Sequence, residues 1–394
     1  MRKNSVLIAI LLLFSGILNL NAQWKVINSG TTLNLNSIYI TSSNTGWIVG
    51  DGGTILQNTE NTWKRVKSPT GENLYSVFFT SRYDGWAVGS KGTILRYNGS
   101  EWELCESPAK SDLRSVSFSD TDNGIAAGKN GTILTYSQGR WARAGKKVRG
   151  DLFSVASFNG SSWIAGSHEG VGVPVMRITD AKGEMTESTL GSYSSVFSMS
   201  FVKENDGYAA ASPGALLHFD GNSWNKINTG YNFPSLTSVY FKDDKGIAAG
   251  YEGTVLIYSE NTWKKESSIT GQKLNGTFIN DNVFYTVGDC GTILVSDRSA
   301  AEKQEVESGT ETGLTLYPNP CSDLLNISLP DGTYGNLRIS ITNPNGQLIM
   351  STVANGADYV MPVKLATGDL KEGLYILSIA TGETTISQRF MVRR

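Results

Sequence analysis

The sequence predicts an all-β chain, a seven-bladed β-propeller followed by a small C-terminal β-sandwich. Three observations predict it. The phrase GWAVGSKGTILRYNGSEW (85–102) recurs with its glycines and tryptophans in step, the recurrence has a period near 40 residues, and beyond a polar stretch near residue 300 the texture changes to unrelated short alternating runs. A chain of 394 residues with 43 glycines, 10% aromatic and only 18% charged residues suits many short strands joined by tight turns better than helices.

The first residues, MRKNSVLIAILLLFSGILNLNAQ, carry two positive charges, an apolar run from Val6 to about Leu18 and a small residue at Ala22. Residues 1–22 therefore read as a secretory signal peptide, with an apolar run short for a membrane span. No second apolar run is long enough to cross a bilayer, so no transmembrane segment is expected. Lys and Arg number 34 against 36 Asp and Glu, for a formal net charge of −2. That balance argues against nucleic acid as a partner.

Residues 23–296 hold the repeat. Further copies are GWIVGDGGTILQNTENTW from Gly46, GIAAGKNGTILTYSQGRW from Gly124, GYAAASPGALLHFDGNSW from Gly207 and GIAAGYEGTVLIYSENTW from Gly246, with weaker ones from Ser162 and Phe284. Trp63, Trp102 and Trp141 fall 39 residues apart, as do Trp224 and Trp263. Such a period marks propeller blades, because one four-stranded unit cannot cover both its faces without neighbours. In the second unit LYSVFF is the innermost strand, GWAVG the next, GTILRY the third and EWELC the outermost. Gly89 and Gly92 are expected to bracket the turn between second and third strands, where positive φ favours glycine. The seventh unit stops near Ser296 without its outer strand, whereas the mature chain begins QWKVI, an outer strand without a blade. The two halves are expected to complete one sheet and close the ring.

Residues 297–313, DRSAAEKQEVESGTETG, read as a linker. Residues 314–394 show strands at LNISL, LRISIT, QLIMSTV, YVMPVKL, LYILSI and QRFMV, the pattern of a small sandwich. The three cysteines, Cys105, Cys290 and Cys321, are odd in number and widely separated, which argues against a disulfide framework and leaves Cys105 with Cys290 as the one pairing to consider.

The repeats quoted above resemble the BNR and photosystem II assembly and stability factor type of propeller over about 270 residues, a resemblance that implies fold more than activity. The related sialidase repeat carries an Asp-containing turn before its Trp; the turns here, TENTW, NGSEW, SQGRW, DGNSW and SENTW, keep the Trp and mostly lose the Asp pattern. The tail resembles the type A C-terminal sorting domain of the type IX secretion system of Bacteroidota, through LYPNP, NGQLI, GLYILSI and the terminal RFMVRR. The sorting-signal residues so identified are Tyr317, Pro318, Asn319, Pro320, Gly346, Gly373 and Tyr375. This resemblance implies passage through the periplasm, recognition by the type IX translocon as a partner, and a secreted or outer-membrane surface-attached product whose tail is open to removal.

No catalytic motif is found. Only two histidines are present, and the zinc-protease, nucleophile-elbow and phosphate-loop motifs are lacking, so no metal or cofactor is expected. His218, at a third-strand position held elsewhere by Arg96 or Thr135, reads as structural. The repeat absorbs all nine tryptophans and leaves none as a sugar platform, although tyrosine also stacks. The expected function is a non-enzymatic binding or scaffold module for a protein or glycan. The alternatives are a glycan-active enzyme of the sialidase-like propeller type and an assembly factor for a surface complex. Turns joining second to third strands gather on one face of a propeller, and there the candidate ligand-binding residues are Asp51, Lys91, Lys129, His168, Glu169, Tyr251, Glu252 and Asp289. The fourth unit breaks the pattern, losing the Gly-Thr-Ile-Leu strand and the outer Trp, and such departures attend functional or strained places.

Overall fold

The computed structural model describes residues 24–394 apart from 43–44, 60–61, 146–147, 159–160, 168–172, 180–183, 191–192, 268, 300–313, 329–336, 344–346, 355–362 and 382–383. It divides into two compact units, one ending at Arg298 and one beginning at Ser299.

The first unit is a seven-bladed β-propeller. Blade II shows the plan: Leu74–Ser81 lines the channel, and Asp84–Gly89, Ile94–Tyr97 and Trp102–Leu104 follow outward as an antiparallel meander. The innermost strands of blades I and III to VII are Leu35–Ser42, Leu113–Phe118, Asp151–Phe158, Ser195–Lys203, Leu236–Lys242 and Leu274–Asn280. Blade VII contributes Val283–Gly288 and Ile293–Asp297, and its fourth strand is the N-terminal Lys25–Val26, which pairs Lys25 with Val295 and Val26 with Leu294. Ile27 N–H extends the splice to the Ile293 carbonyl at 2.9 Å. Arg298, on the linker side of the sequence boundary, sits in this unit and ion-pairs with Glu266 at 2.9 Å.

Blades are held together by a repeated aromatic clasp, which explains why tryptophan recurs. The second-strand Trp of one blade meets the outer-strand Trp of the next edge to face: Trp47 with Trp102 at 5.5 Å, Trp86 with Trp141 at 5.6 Å, Trp163 with Trp224 at 6.3 Å. A phenylalanine from the next blade's innermost strand stacks on the first ring, as Phe79 does on Trp47 and Phe118 on Trp86. Each such ring pair adds about 0.5–1.5 kcal/mol beyond area burial.

The glycines of the phrase act by close approach as much as by φ. Gly89 is extended, with φ −161°, and the left-handed conformation falls on Lys91 and Gly92, at φ 55° and 76°. The expected φ-based reason for Gly89 is therefore corrected. A Cβ there would lie 2.1 Å from the Asn73 carbonyl oxygen, and one on Gly92 would lie 2.2 Å from that of Ala109, so the turn is wedged between two links that feed innermost strands.

The second unit is a sandwich of a three-stranded sheet (Thr315–Tyr317, Leu324–Ser328, Val363–Ala366) and a four-stranded one (Leu337–Thr342, Leu348–Ala354, Gly373–Thr381, Thr384–Val392). Leu325, Ile327 and Leu365 of one sheet share a core with Ile339, Leu377, Ile379 and Phe390 of the other.

Gly89→Ala is expected to lower stability by about 2 kcal/mol or more, since a backbone oxygen must move. Gly145→Ala, whose Cβ would meet nothing within 4 Å, should cost less than about 0.5 kcal/mol. Urea unfolding followed by tryptophan fluorescence checks this, because every tryptophan lies in the propeller.

Candidate binding face at the channel mouth

Successive strands of a blade alternate in direction, so the turn between second and third strands and the link to the next blade fall at the same end of the ring. The structure brings Asp51, Lys91, Lys129, Tyr251, Glu252 and Asp289 together there, in the turns Asp51–Gly53, Ser90–Gly92, Lys129–Gly131, Tyr251–Gly253 and Asp289–Gly291. His168 and Glu169 lie outside the described residues. Four of these five turns interlock with the next blade: the middle N–H donates to a side chain at or just before the start of that blade's innermost strand, Gly52 to Asn73 Oδ1 at 2.8 Å, Lys91 to Asp112 Oδ1 at 3.1 Å, Asn130 to Asp151 Oδ1 at 2.9 Å and Cys290 to Asn34 Oδ1 at 3.1 Å.

Several predicted ligand residues are thereby occupied. The Asp51 carboxylate accepts from Asn34 and Asn36, both at 3.0 Å, and Asp289 accepts from Asn275 at 2.8 Å. Lys129 pairs with Asp112 at 3.5 Å. Lys91 pairs with Glu72 at 2.8 Å, and that hydrogen bond and charge hold its ammonium above the ordinary lysine value, although solvent screens so exposed a pair. The Lys273 ammonium lies 5.3 Å from the centre of the exposed Tyr251 ring.

The sequence reading missed a second ring of residues inside the turns. Each innermost strand opens with a β-bulge directly after its first buried Leu or Val, and the seven bulged residues are Asn36, Tyr75, Arg114, Phe153, Phe197, Thr237 and Asn275. A bulge re-aims its side chain, and here all seven line the channel. The signal was present as the variable position in Asn-Leu-x-Ser and Asp-Leu-x-Ser. The ring is lopsided. In blades VI, VII and I the bulge side chains are small and spent on the scaffold: Thr237 donates to the Leu274 carbonyl, Asn275 to Leu35 O at 3.1 Å and Asn36 to Leu74 O at 2.8 Å. In blades II to V they are large. Arg114 lies 4.0 Å over the Tyr75 ring and reaches Asp112 at 3.2 Å, while Phe153 and Phe197 adjoin at 5.4 Å.

Behind this mouth the channel holds about 310 Å³. Serines one residue past the bulge bridge the innermost strands, whose N–H groups would otherwise lack ladder partners. Ser37 accepts from Val77 N–H at 3.2 Å, Ser76 from Val116 at 3.3 Å, Ser115 from Val155 at 3.0 Å, Ser154 from Met199 at 2.9 Å and Ser198 from Val239 at 3.1 Å. Deeper in the channel, Tyr39 packs against Phe78 at 5.3 Å and Phe278 at 4.9 Å, and burial pushes its phenol up to about 12.

In the sandwich unit, Asn319 ties the sorting motif to the terminal strand. Its Oδ1 accepts Met391 N–H at 2.9 Å, and the neighbouring Cys321 N–H donates to Met391 O at 2.8 Å. Tyr375 is buried, stacks on Phe390 at 5.7 Å and donates to Lys371 O at 2.9 Å. Tyr317, Pro318 and Pro320 are exposed and Gly373 is half-buried, while Gly346 lies outside the described residues. All three cysteines are free, so Cys105 and Cys290 do not pair. Among the described residues no helix is long and apolar enough to cross a membrane.

These features define a seven-bladed β-propeller followed by a small β-sandwich. Residues 315–393 match the family model of the secretion system C-terminal sorting domain, and residues 18–98 match that of the photosynthesis system II assembly factor YCF48. The chain therefore joins a YCF48-like BNR propeller to a type IX sorting domain, which marks it for export to the surface or the medium. No curated protein matches it significantly in sequence. Among solved structures it is similar to YCF48 bound to a D1 peptide (TM-score 0.58, 16% identity, covering 69% of this chain and 96% of that one). YCF48 from Cyanidioschyzon merolae is equally similar (TM-score 0.58, 16% identity, 69% and 98%). PorZ, a surface component of the type IX secretion system of Porphyromonas gingivalis, matches over 90% of this chain and 58% of its own, with TM-score 0.53 and 11% identity. At these identities the likeness establishes fold.

Tyr39 gives the channel a pH signature. Its folded pKa lies above the unfolded value of 10.0, so the native state keeps a proton that the unfolded chain releases. The stability this contributes is complete below pH 10 and is lost as pH rises toward 12. Tyr39→Phe is expected to flatten the alkaline fall by about 2 kcal/mol, measured as denaturant midpoints from pH 8 to 12.

Proposed function

We propose that this chain is an exported, non-enzymatic binding module whose channel mouth holds a segment of a protein partner, in the service of assembling a surface complex. The carrying observation is the lopsided bulge ring. Blades VI, VII and I turn their bulge side chains into the scaffold, while blades II to V present Tyr75, Arg114, Phe153 and Phe197 as a continuous arc of two phenylalanines, a tyrosine and a guanidinium. Aromatic residues and arginine are the side chains that concentrate binding energy at protein interfaces. Support also comes from the solved YCF48, which holds a peptide, and from PorZ, which serves at the surface of the secretion system whose sorting domain this chain shares. In this reading the signal peptide delivers the chain to the periplasm and the translocon recognises the sandwich. A sialidase-like reading is less well supported, because the one arginine of the bulge ring is engaged by Asp112 and stacked on Tyr75.

The test is affinity capture with the full-length chain from the envelope and medium of the producing cell. A triple variant, Arg114→Ala with Phe153→Ala and Phe197→Ala, is compared with Tyr83→Ala, an exposed residue in the hairpin at the opposite end of blade II. The triple variant should retain about tenfold less of a specific protein, the loss expected for interface anchors, and Tyr83→Ala should retain it fully. Equal capture by all three proteins, or equal loss in both variants, would contradict the assignment.

A further inference from the structure

The rim of the ring carries a second concavity where the aromatic clasp changes composition. Blades I, II and IV supply tryptophan at the second-strand position, but blade V supplies Tyr208. Tyr208 lies flat on Phe241, with centroids 3.6 Å apart and planes 11° from parallel, and Tyr258 and Trp263 of blade VI complete the cluster at 6.2 and 6.5 Å. A phenol fills less of the interface than an indole. A cleft of about 590 Å³ opens there, lined among others by Tyr208, His218, Asn228, Tyr258, Asn261 and Trp263.

The residue beside Tyr208 also differs from its counterpart. In blade II the cross-strand pair is Arg96 with Asp84 at 2.9 Å, and the guanidinium covers the Trp86 ring at 5.1 Å. In blade V the corresponding pair is His218 with Asp206 at 2.9 Å, and the imidazole lies 4.8 Å from the Tyr208 ring. A long flexible cation is thus replaced by a short flat ring whose far nitrogen is held by a carboxylate. The remaining polar lining is uncharged: the amides of Asn228 and Asn261 and the hydroxyls of Thr229, Thr262 and Tyr258. The Tyr258 hydroxyl donates to Asn261 Oδ1 at 3.4 Å, a long bond that a better-placed ligand hydroxyl could displace.

We infer that this cleft between blades V and VI binds a neutral saccharide of one or two pyranose rings. The volume lies within the usual range for small-ligand sites. The half-buried Tyr258 ring and Ile227 side chain offer apolar surface to the C–H face of a sugar, while the amides and hydroxyls of the lining supply donors and acceptors for its rim of hydroxyl groups. His218 and Asp206 are committed to each other, so among the described lining residues a phosphate, carboxylate or ammonium meets no free counter-charge. The site is separate from the channel mouth and does not rest on the protein-binding reading.

The experiment is saturation-transfer NMR and tryptophan fluorescence on the full-length chain with methyl α-D-mannopyranoside, methyl β-D-galactopyranoside, N-acetylglucosamine, maltose and cellobiose. Each is used at about 10 mM, enough to fill a millimolar site. At least one should bind, and Tyr208→Trp, which places there the indole of blades I, II and IV, should weaken it about tenfold or more while leaving the unfolding midpoint unchanged or raised. Should Tyr208→Trp fail to fold, the exposed Asn261→Ala decides in its place, with the same loss expected. Arg114→Ala at the channel mouth should bind the sugar normally. Lack of binding by the unmodified chain to every sugar in the panel, or equal binding by the cleft variant, overturns the assignment.

Discussion

Ring closure is the constraint on which the rest of this propeller depends. Each blade buries its faces only against two neighbours, so a ring left open between blades VII and I would expose an apolar face on each side and an unpaired strand edge. Closure rests on a short splice. Lys25–Val26 covers the edge of Ile293–Asp297, the buried Trp24 donates its indole N–H to Glu266 at 3.3 Å, and Glu266 holds Arg298 at 2.9 Å, so residues from both ends of the unit meet on one carboxylate. The same seam carries Asn275 to the Leu35 carbonyl and Cys290 N–H to Asn34. Loop-closure entropy grows only logarithmically with length, so uniting distant chain ends costs little more than closing a much shorter loop.

Closure also determines what the mouth can present. The serine bridges and the interlocked turns pass from blade to blade, and each sets the height of the next innermost strand. The bulge residues stand on those strands, so their side chains form one continuous surface only when the ring is complete. The division between a polar side and an aromatic side then follows from local chemistry. Where the bulge residue is Asn or Thr, its side chain reaches the next carbonyl and becomes part of the scaffold. Where it is Tyr, Arg or Phe the side chain instead lines the opening, with Arg114 held there by Asp112 and the Tyr75 ring.

Much of the fold was legible in the sequence because the residues that define it are unusual and repeated. The Gly-Thr-Ile-Leu strands and the spaced tryptophans report burial and sheet packing directly, and the orphan strands at Trp24 and Ser296 pointed to the splice. The site was less legible, for two physical reasons. Charged turn residues such as Asp51 and Asp289 look available in a sequence, but their acceptors are taken by Asn36 and Asn275, contacts visible only once the bulge is formed. The bulge residues themselves vary, and the repeat draws attention to what does not. Gly89 was read as a turn glycine for the wrong reason, since a carbonyl brought in from 16 residues earlier, not its own φ, excludes a side chain there. His218 was correctly placed in a third strand, but its meaning changes with Tyr208 beside it, a pairing that linear spacing does not reveal. In the sandwich, the four sorting motifs looked independent, yet Asn319 shows that two of them are halves of one structure, the first strand region and the last.

The most direct test of this account is amide hydrogen exchange at single-residue resolution on the free full-length chain, comparing Ile27 in the splice with the centre of Val283–Gly288 in the same blade. If the N-terminal strand closes the ring, Ile27 should exchange within about tenfold of that central strand, since both then open only with the unit as a whole. Exchange of Ile27 at the rate of an unprotected amide, with the central strand still protected, would show a ring that stands without its splice and would contradict the account.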